Sequence, residues 1–238
     1  MLKQYFISLA LLWGGFAHAA EIDKLKQQLE KSLPEVKIDS LQEVDNTGLY
    51  EAVVNGEIIY FSADGRYALQ GELVSLESRT NLTEQRKVSL RKDMLNTLDE
   101  KDMIIFEPEK PEHTLTVFTD IDCVYCRKMH SEIEQYKEQG IRIRYMAYPR
   151  GGIDSESYDD AVTVWCADDR HEAMTRAKQG EELAALTCDN PVKAEFNIGR
   201  KMGVQGTPAL FMESGQMLPG YVPAERLRQI LDQNSGQS

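Results

Sequence analysis

Two cysteines separated by two residues, Cys123-Val124-Tyr125-Cys126, are the part of this sequence best suited to chemistry. A thiol placed where a helix begins faces unsatisfied backbone N–H groups and the positive end of the helix dipole, both of which favour the thiolate. In such motifs the thiol pKa falls from about 8.5 into the range of roughly 3.5 to 7.5. Cys123 is then an attacking nucleophile near neutral pH. Cys126 lies within reach to close a disulfide and expel whatever Cys123 carries, which is thiol–disulfide exchange. Zinc is the rival use of the spacing, but it needs two more ligands, and only Cys166 and Cys188 could supply thiols for a closed set. No metal or cofactor is therefore assigned. A purely structural bridge across so tight a loop would add little chain-entropy stabilisation. His130 follows on the same helix and either shares the face of the pair and tunes it or is a surface histidine.

The elements around the pair can be read outward from it. His113 to Thr119 alternates and is β-branched, hence a strand; Arg127 to Gln139 has helical spacing and stops at Gly140. Cys166 and Cys188 lie inside or beside helical segments, Asp159 to Lys178 and Asp189 to Met202. A permanent bridge between them would close a loop of roughly 23 residues and stabilise the fold by about 3 kcal/mol. The alternative is a second redox-active pair. Gly206-Thr207-Pro208-Ala209 precedes an apolar strand, Glu213 to Gln216 reads as a hairpin turn, and Val222 to Gln233 as a closing helix.

The amino-terminal third has a different texture. Lys3, an uncharged run from Gln4 to Ala20 and Ala17-His18-Ala19 form the pattern of a cleaved secretory signal, residues 1–19. The run has too few apolar residues for the roughly 20 that span a bilayer, which disfavours an uncleaved anchor. An exported, oxidising compartment is expected, where thiols tend to be paired. Ile22, Leu25, Leu29 and Leu33 mark a short amphipathic helix that ends at Pro34. From Val36 to Leu76 strand-like runs follow, Leu49 to Val54, Glu57 to Ser62 and Tyr67 to Leu73, punctuated by Asn55-Gly56 and Asp64-Gly65. So small a sheet, with neither cysteine nor histidine, buries little core alone. Oligomerisation through it is the leading expectation, packing on its own chain the alternative. Asn81 with Glu84 reads as a capping box opening a connecting helix.

Composition limits the partners. The chain has 238 residues with 39 carboxylates against 27 Lys and Arg, a net charge of −12, and no basic cluster, so nucleic acid is not an expected partner.

A strand, a helix-initiating Cys-x-x-Cys and a later Gly-Thr-Pro before a strand resemble the thioredoxin fold, in which that proline is cis and lies against the redox pair. The resemblance extends to the DsbC/DsbG family of periplasmic disulfide isomerases. It rests on Phe118-Thr119-Asp120-Ile121, Cys123-x-Tyr125-Cys126, Lys128-x-His130, Arg142-Ile143-Arg144-Tyr145, Tyr148-Pro149-Arg150, Trp165-Cys166, Cys188, Gly206-Thr207-Pro208-Ala209 and Pro219-Gly220-Tyr221. It implies an α+β chain with an amino-terminal sheet domain, 20–80, joining a homodimer. A linker helix, 81–104, and a thioredoxin-like catalytic domain, 105–238, follow, with a helical insertion at about 155–200 that carries a structural Cys166–Cys188 bridge. It further implies catalytic Cys123 and Cys126, substrate contacts from Tyr125, Thr207 and Pro208, misfolded exported proteins as substrates, and a membrane reductase of the DsbD type as electron donor in the periplasm. Alternatives are a DsbG-like reductase, a chaperone module or a thiol oxidase. Three positions depart from the family pattern: Val124 stands where glycine is usual, Asp122 where threonine is usual and Arg127 where histidine is usual. An adjacent carboxylate disfavours a thiolate and a guanidinium favours one, so the two charged changes oppose each other.

Overall fold

A computed structural model describes residues 13–45 and 47–235, with side chains from residue 20 onward. The expected signal rests on residues 1–12 and on side chains up to residue 19, outside the described residues. The described residues divide into two compact units, one up to Thr83 and one from Glu84 onward.

In the first unit, helix α1 (Trp13–Ser32) packs on an antiparallel sheet of β1 (Ile38–Val44), β2 (Leu49–Val54), β3 (Glu57–Ser62) and β4 (Ala68–Leu69), in that order. Leu25 and Leu29 of α1 are buried with Ile38, Tyr50, Ala52, Val54 and Phe61, the apolar spacing doing what its period dictates. Leu33 falls beyond the helix and stays exposed. Asn55 and Gly56 both take positive φ, 51° and 86°, so the β2–β3 connection has the left-handed pair that matches strand twist. The run from Tyr67 to Leu73 contributes only the two residues of β4, because the chain then turns into a small hairpin, β5 (Val74–Ser75) and β6 (Thr80–Asn81). Thr83 ties that hairpin to the sheet: its Oγ1 lies 2.5 Å from the Tyr60 hydroxyl and accepts from the Leu73 amide at 2.8 Å.

The second unit begins along α2 (Leu82–Leu95), followed by a 3₁₀ turn, Glu100–Asp102. Its strands are β7 (Ile104–Phe106), β8 (His113–Thr119), β9 (Ile141–Ala147), β10 (Ala209–Met212) and β11 (Met217–Pro219). They form a sheet of order β11-β10-β8-β9-β7 in which β8 and β9 are parallel and the other pairs antiparallel. The β8–β9 crossover is helical, α3 (Val124–Ser131) and α4 (Ile133–Glu138), and not the continuous helix that spacing alone suggests. The break is at Glu132, whose backbone leaves the helical region (φ −106°, ψ 17°). Between β9 and β10 come α5 (Glu156–Trp165), α6 (Arg170–Lys178) and α7 (Val192–Lys201), and α8 (Ala224–Ser235) closes the chain. Here too one expected helix is two, because the Asp169 side chain caps α6 on the Glu172 amide at 2.9 Å and starts it afresh.

Strands β8 and β9 are covered on both faces, as parallel strands with helical crossovers must be. Leu115 and Val117 join Met129, Tyr136, Ile143, Trp165 and Leu210 in the main core, and Phe118 and Phe211 lie in a second cluster with Tyr148 and Met202. Gly199 lets α7 approach closely: a Cβ there would stand 2.5 Å from the Tyr148 ring.

Candidate active site

The central strand β8 delivers the chain into a short turn, and the turn starts α3. Asp120 O receives the Cys123 amide at 3.2 Å, and Cys123 O receives the Arg127 amide at 2.9 Å, the first bond of the helix. Cys123 occupies the N-cap (φ −74°, ψ 121°), where its sulfur accepts from the Cys126 amide at 3.4 Å. The sulfur thus takes the place of the oxygen that usually satisfies a free N–H at this end. Its own proton is donated to Thr207 O at 3.1 Å. The Thr207–Pro208 peptide is cis, and the β8–β10 register, with Ala209 opposite Phe118, brings it alongside the turn. Both cysteines are free thiols, 2% and 1% exposed, whereas Val124 and Tyr125 between them are 76% and 60% exposed. The reactive sulfurs are sheltered under an exposed apolar dipeptide.

The two thiols are electrostatically unequal. Hydrogen bonding from the Cys126 side chain holds the Cys123 thiol down at about 5, with help from Thr207, the Cys126 amide and the Arg150 guanidinium, against the cost of burial. Burial pushes the Cys126 thiol well above its ordinary value, and donating to Cys123 pushes it further. Arg150 is fixed by Asp120, a carboxylate only 2% exposed, whose Oδ2 accepts from the Arg150 amide at 2.8 Å and from its Nε at 2.9 Å. Asp120 Oδ1 accepts from the Asp122 amide at 2.8 Å, so one carboxylate joins the reactive turn to the segment after β9.

The opposing changes at 122 and 127 have a structural answer. Arg127 Nη2 pairs with Asp122 Oδ1 at 2.9 Å while its Nε donates to Ile121 O. The two charges pair with one another at the surface, and Arg150 is a cation that acts on Cys123. His130 is not a surface residue: it is 3% exposed, packs edge-on to Phe106 and has Nε2 3.0 Å from Thr175 Oγ1 on α6. Burial lowers it to about 4, so it is neutral at physiological pH. Cys166, at the end of α5, is joined to Cys188, with Cα atoms 5.7 Å apart. That removes both from the ligand set the zinc alternative required.

Three participants carried no functional reading in sequence. Asp120 and Arg150 stood inside segments of family resemblance but had no assigned role. Lys178 gave no signal, since a lysine ending a strongly charged helix is ordinarily solvated. Its Nζ in fact donates to Thr119 Oγ1 and Asp120 O, across a separation of 58 positions in the latter case.

Comparisons with known proteins agree with this geometry. Residues 16–84 match the model of the disulfide bond isomerase protein N-terminal domain, and residues 100–235 match a thioredoxin-like domain. The chain is 32% identical to the thiol:disulfide interchange protein DsbC of Escherichia coli over 98% of this chain and 97% of that one. It is 33% identical to the DsbC of Salmonella typhimurium, covering 98% and 96%. A solved disulfide interchange protein from Neisseria gonorrhoeae superimposes with a TM-score of 0.52 at 27% identity, over 58% of this chain and 98% of that one. Fold and dithiol together define a thioredoxin-like thiol–disulfide oxidoreductase. Within that class, the chain belongs to the DsbC family of thiol:disulfide interchange proteins.

Proposed function

We propose that Cys123 attacks non-native disulfides in exported proteins and that Cys126 resolves the resulting mixed disulfide. The inequality of the pair carries this reading: the sulfur at the N-cap accepts from the Cys126 amide and is held down at about 5, hence a thiolate at neutral pH, while burial keeps its neighbour a thiol. Attack on a substrate disulfide forms a Cys123–substrate bond and frees one substrate thiolate. That thiolate can attack another disulfide of the same substrate and return Cys123 reduced, which is isomerisation. When Cys126 attacks Cys123 instead, the substrate leaves reduced and the enzyme holds the disulfide. Tyr125, exposed beside the nucleophile, Thr207, whose carbonyl accepts from the Cys123 sulfur, and Pro208, joined to it by the cis peptide, are assigned to the substrate segment. Cys166–Cys188 is assigned a structural role.

The domain reading is residues 20–80 for homodimerisation, 81–104 as linker helix and 105–238 as catalytic domain with the insertion at about 155–200. The dimer assignment is supported by the family of the amino-terminal domain and by Tyr67, Leu69, Val74 and Leu76, exposed in that unit at its β4 edge and adjoining hairpin. A second copy of the same sheet is the occupant these residues fit. A periplasmic location and a membrane reductase of the DsbD type as electron donor belong to the same reading, which family membership and the signal-like residues 1–19 support. No helix among the described residues is long and apolar enough to cross a membrane.

The test is reactivation of scrambled ribonuclease. Cys123→Ser should abolish it, and Cys126→Ser should accumulate a covalent substrate complex through Cys123. Full reactivation by Cys123→Ser would overturn the assignment. Trapping thiols in intact cells separates isomerase from oxidase: the isomerase reading expects a mainly reduced pair.

A further inference from the structure

Two stretches of the family resemblance, Lys128-x-His130 and Pro219-Gly220-Tyr221, take no part in attack or resolution, yet the fold joins them beside the site. Lys128 lies on α3, the helix that Cys123 opens, and Glu132 stands at its end, where the backbone breaks before α4. Lys128 Nζ donates to Glu132 Oε1 at 2.8 Å, and the Tyr221 hydroxyl donates to Glu132 Oε2. The same ammonium lies 4.9 Å from the centroid of the Tyr221 ring, within cation–π range. Lys128 first and Tyr221 second hold the Glu132 carboxyl below the usual carboxylate range, against burial.

On its other side Tyr221 adjoins the loop that faces the nucleophile. Gly220 donates its amide to Pro208 O at 2.8 Å, just after β11 has paired Pro219 with Ala209. Its φ of 82° lets the chain leave the strand there. Thr207, across the cis bond from Pro208, receives the Cys123 sulfur on its carbonyl at 3.1 Å. A closed ring of contacts therefore runs from Cys123 along α3 to Glu132, through Tyr221 and Gly220 to Pro208, and back by Thr207. Tyr136, buried on α4, donates to Val222 O at 2.6 Å, so the main chain is held on both sides of Tyr221 and α4 has its own anchor. The Tyr221 hydroxyl acts instead on α3, whose eight residues are separated from α4 by the break at Glu132.

We propose that Tyr221 is a positioning residue for substrate recognition: through Glu132 it fixes α3 against the cis-proline loop and so sets the gap that grips a disulfide-bonded peptide segment. The role rests on the assignment of Thr207 and Pro208 to that segment. A small disulfide needs only to bring one sulfur to Cys123, whereas a peptide must also lie along residues 207–208. A slight shift of α3 therefore penalises the peptide and spares the small disulfide, which makes Tyr221 a determinant of selectivity.

Single-turnover oxidation of the reduced full-length chain by a disulfide-linked peptide pair, followed by acid quench and thiol counting, yields a half-saturating concentration and a limiting rate. An aromatic disulfide that releases thionitrobenzoate reports attack without the segment. Tyr221→Phe should raise the half-saturating concentration about tenfold and leave both the limiting rate and attack on the aromatic disulfide within about twofold. Glu132→Ala should match it. Glu132→Gln, whose amide oxygen still accepts from the hydroxyl, should stay within about twofold of wild type. The double variant, Tyr221→Phe with Glu132→Ala, should be no weaker than either single one, as expected of residues acting through one bond. An unchanged half-saturating concentration in Tyr221→Phe, an equal loss with the aromatic disulfide, failure of Glu132→Gln to rescue, or additive losses would overturn the proposal. The Glu132 variants decide the same bond from α3 even where Tyr221→Phe fails to fold. Pro208→Ala tests the underlying assignment separately. A rise in the half-saturating concentration there but not in Tyr221→Phe keeps the loop and removes Tyr221 from recognition. A rise in neither removes both, and a rise in Tyr221→Phe alone would mean that it acts on something other than the loop, which also overturns the proposal.

Discussion

At the scale of single residues, the chemistry comes from making two identical side chains unlike. Cys123 has an amide, a neighbouring thiol and a guanidinium favouring its anion; Cys126 has burial opposing its own. Because the first cause of the Cys123 shift is hydrogen bonding from Cys126, Cys126→Ala should raise the Cys123 pKa, read as an upward move of thiolate absorbance in a pH titration. In the wild type, the rate of alkylation at Cys123 should fall off only as pH drops through about 5. The same shift links to stability. A thiol whose folded pKa lies below its unfolded value of about 8.5 favours the folded state fully above that value, and the benefit is lost as pH falls through the folded pKa. The reduced protein should therefore lose stability between about pH 8.5 and 5 relative to the oxidised form, which lacks the ionisation. Urea midpoints of the two forms across that window check the sign, and parallel pH profiles would contradict it.

Elements position these residues from parts of the chain far apart in sequence, and this limits what sequence could reveal. The Cys-x-x-Cys helix start, strand β8 with its bounds at His113 and Thr119, and the turn at Asn55-Gly56 are local and were legible, because capping, alternation and positive φ are written into neighbouring residues. The breaks at Glu132 and at 166–169 were not, since helical spacing runs through both and only packing and a fresh cap interrupt it. Nor were Lys178 and the Asp120–Arg150 pair, whose meaning comes from a fold that brings α6 and the end of β9 to one turn. Gly199 is another such case, an unremarkable glycine in a helix until α7 is laid against β9. Gly199→Ala should cost roughly 1–3 kcal/mol by overpacking, despite the gain in helix propensity, because its Cβ would meet the Tyr148 and Phe118 rings. Tyr148 also donates to Val204 O at 2.7 Å, close before Thr207, so the strain is directed toward the substrate side of the site. Denaturant unfolding measures the loss; an unchanged or higher midpoint would show that the rings yield freely.

For the whole molecule, the useful distinction is between chemistry at one dithiol and rearrangement of a substrate that must stay engaged between attacks. A mixed disulfide that dissociates early yields reduction, whereas one retained long enough for an internal thiolate to attack again yields isomerisation. Pairing two chains places two reactive sites on one assembly, and a substrate held by one meets the other at an effective concentration far above that free in solution. The exposed apolar residues at the β4 edge are where such pairing is proposed, and an edge strand with free backbone groups can be blocked by a charge. Leu69 is 55% exposed, so Leu69→Lys should leave the chain folded while raising the dissociation constant of the dimer, measured by sedimentation equilibrium. The monomer should keep its attack on a small aromatic disulfide within about twofold and lose most of its ability to reactivate scrambled ribonuclease. A monomeric variant with undiminished isomerase activity would locate retention of the substrate within a single chain, at Tyr125, Thr207 and Pro208, and would make dimerisation unnecessary to the chemistry.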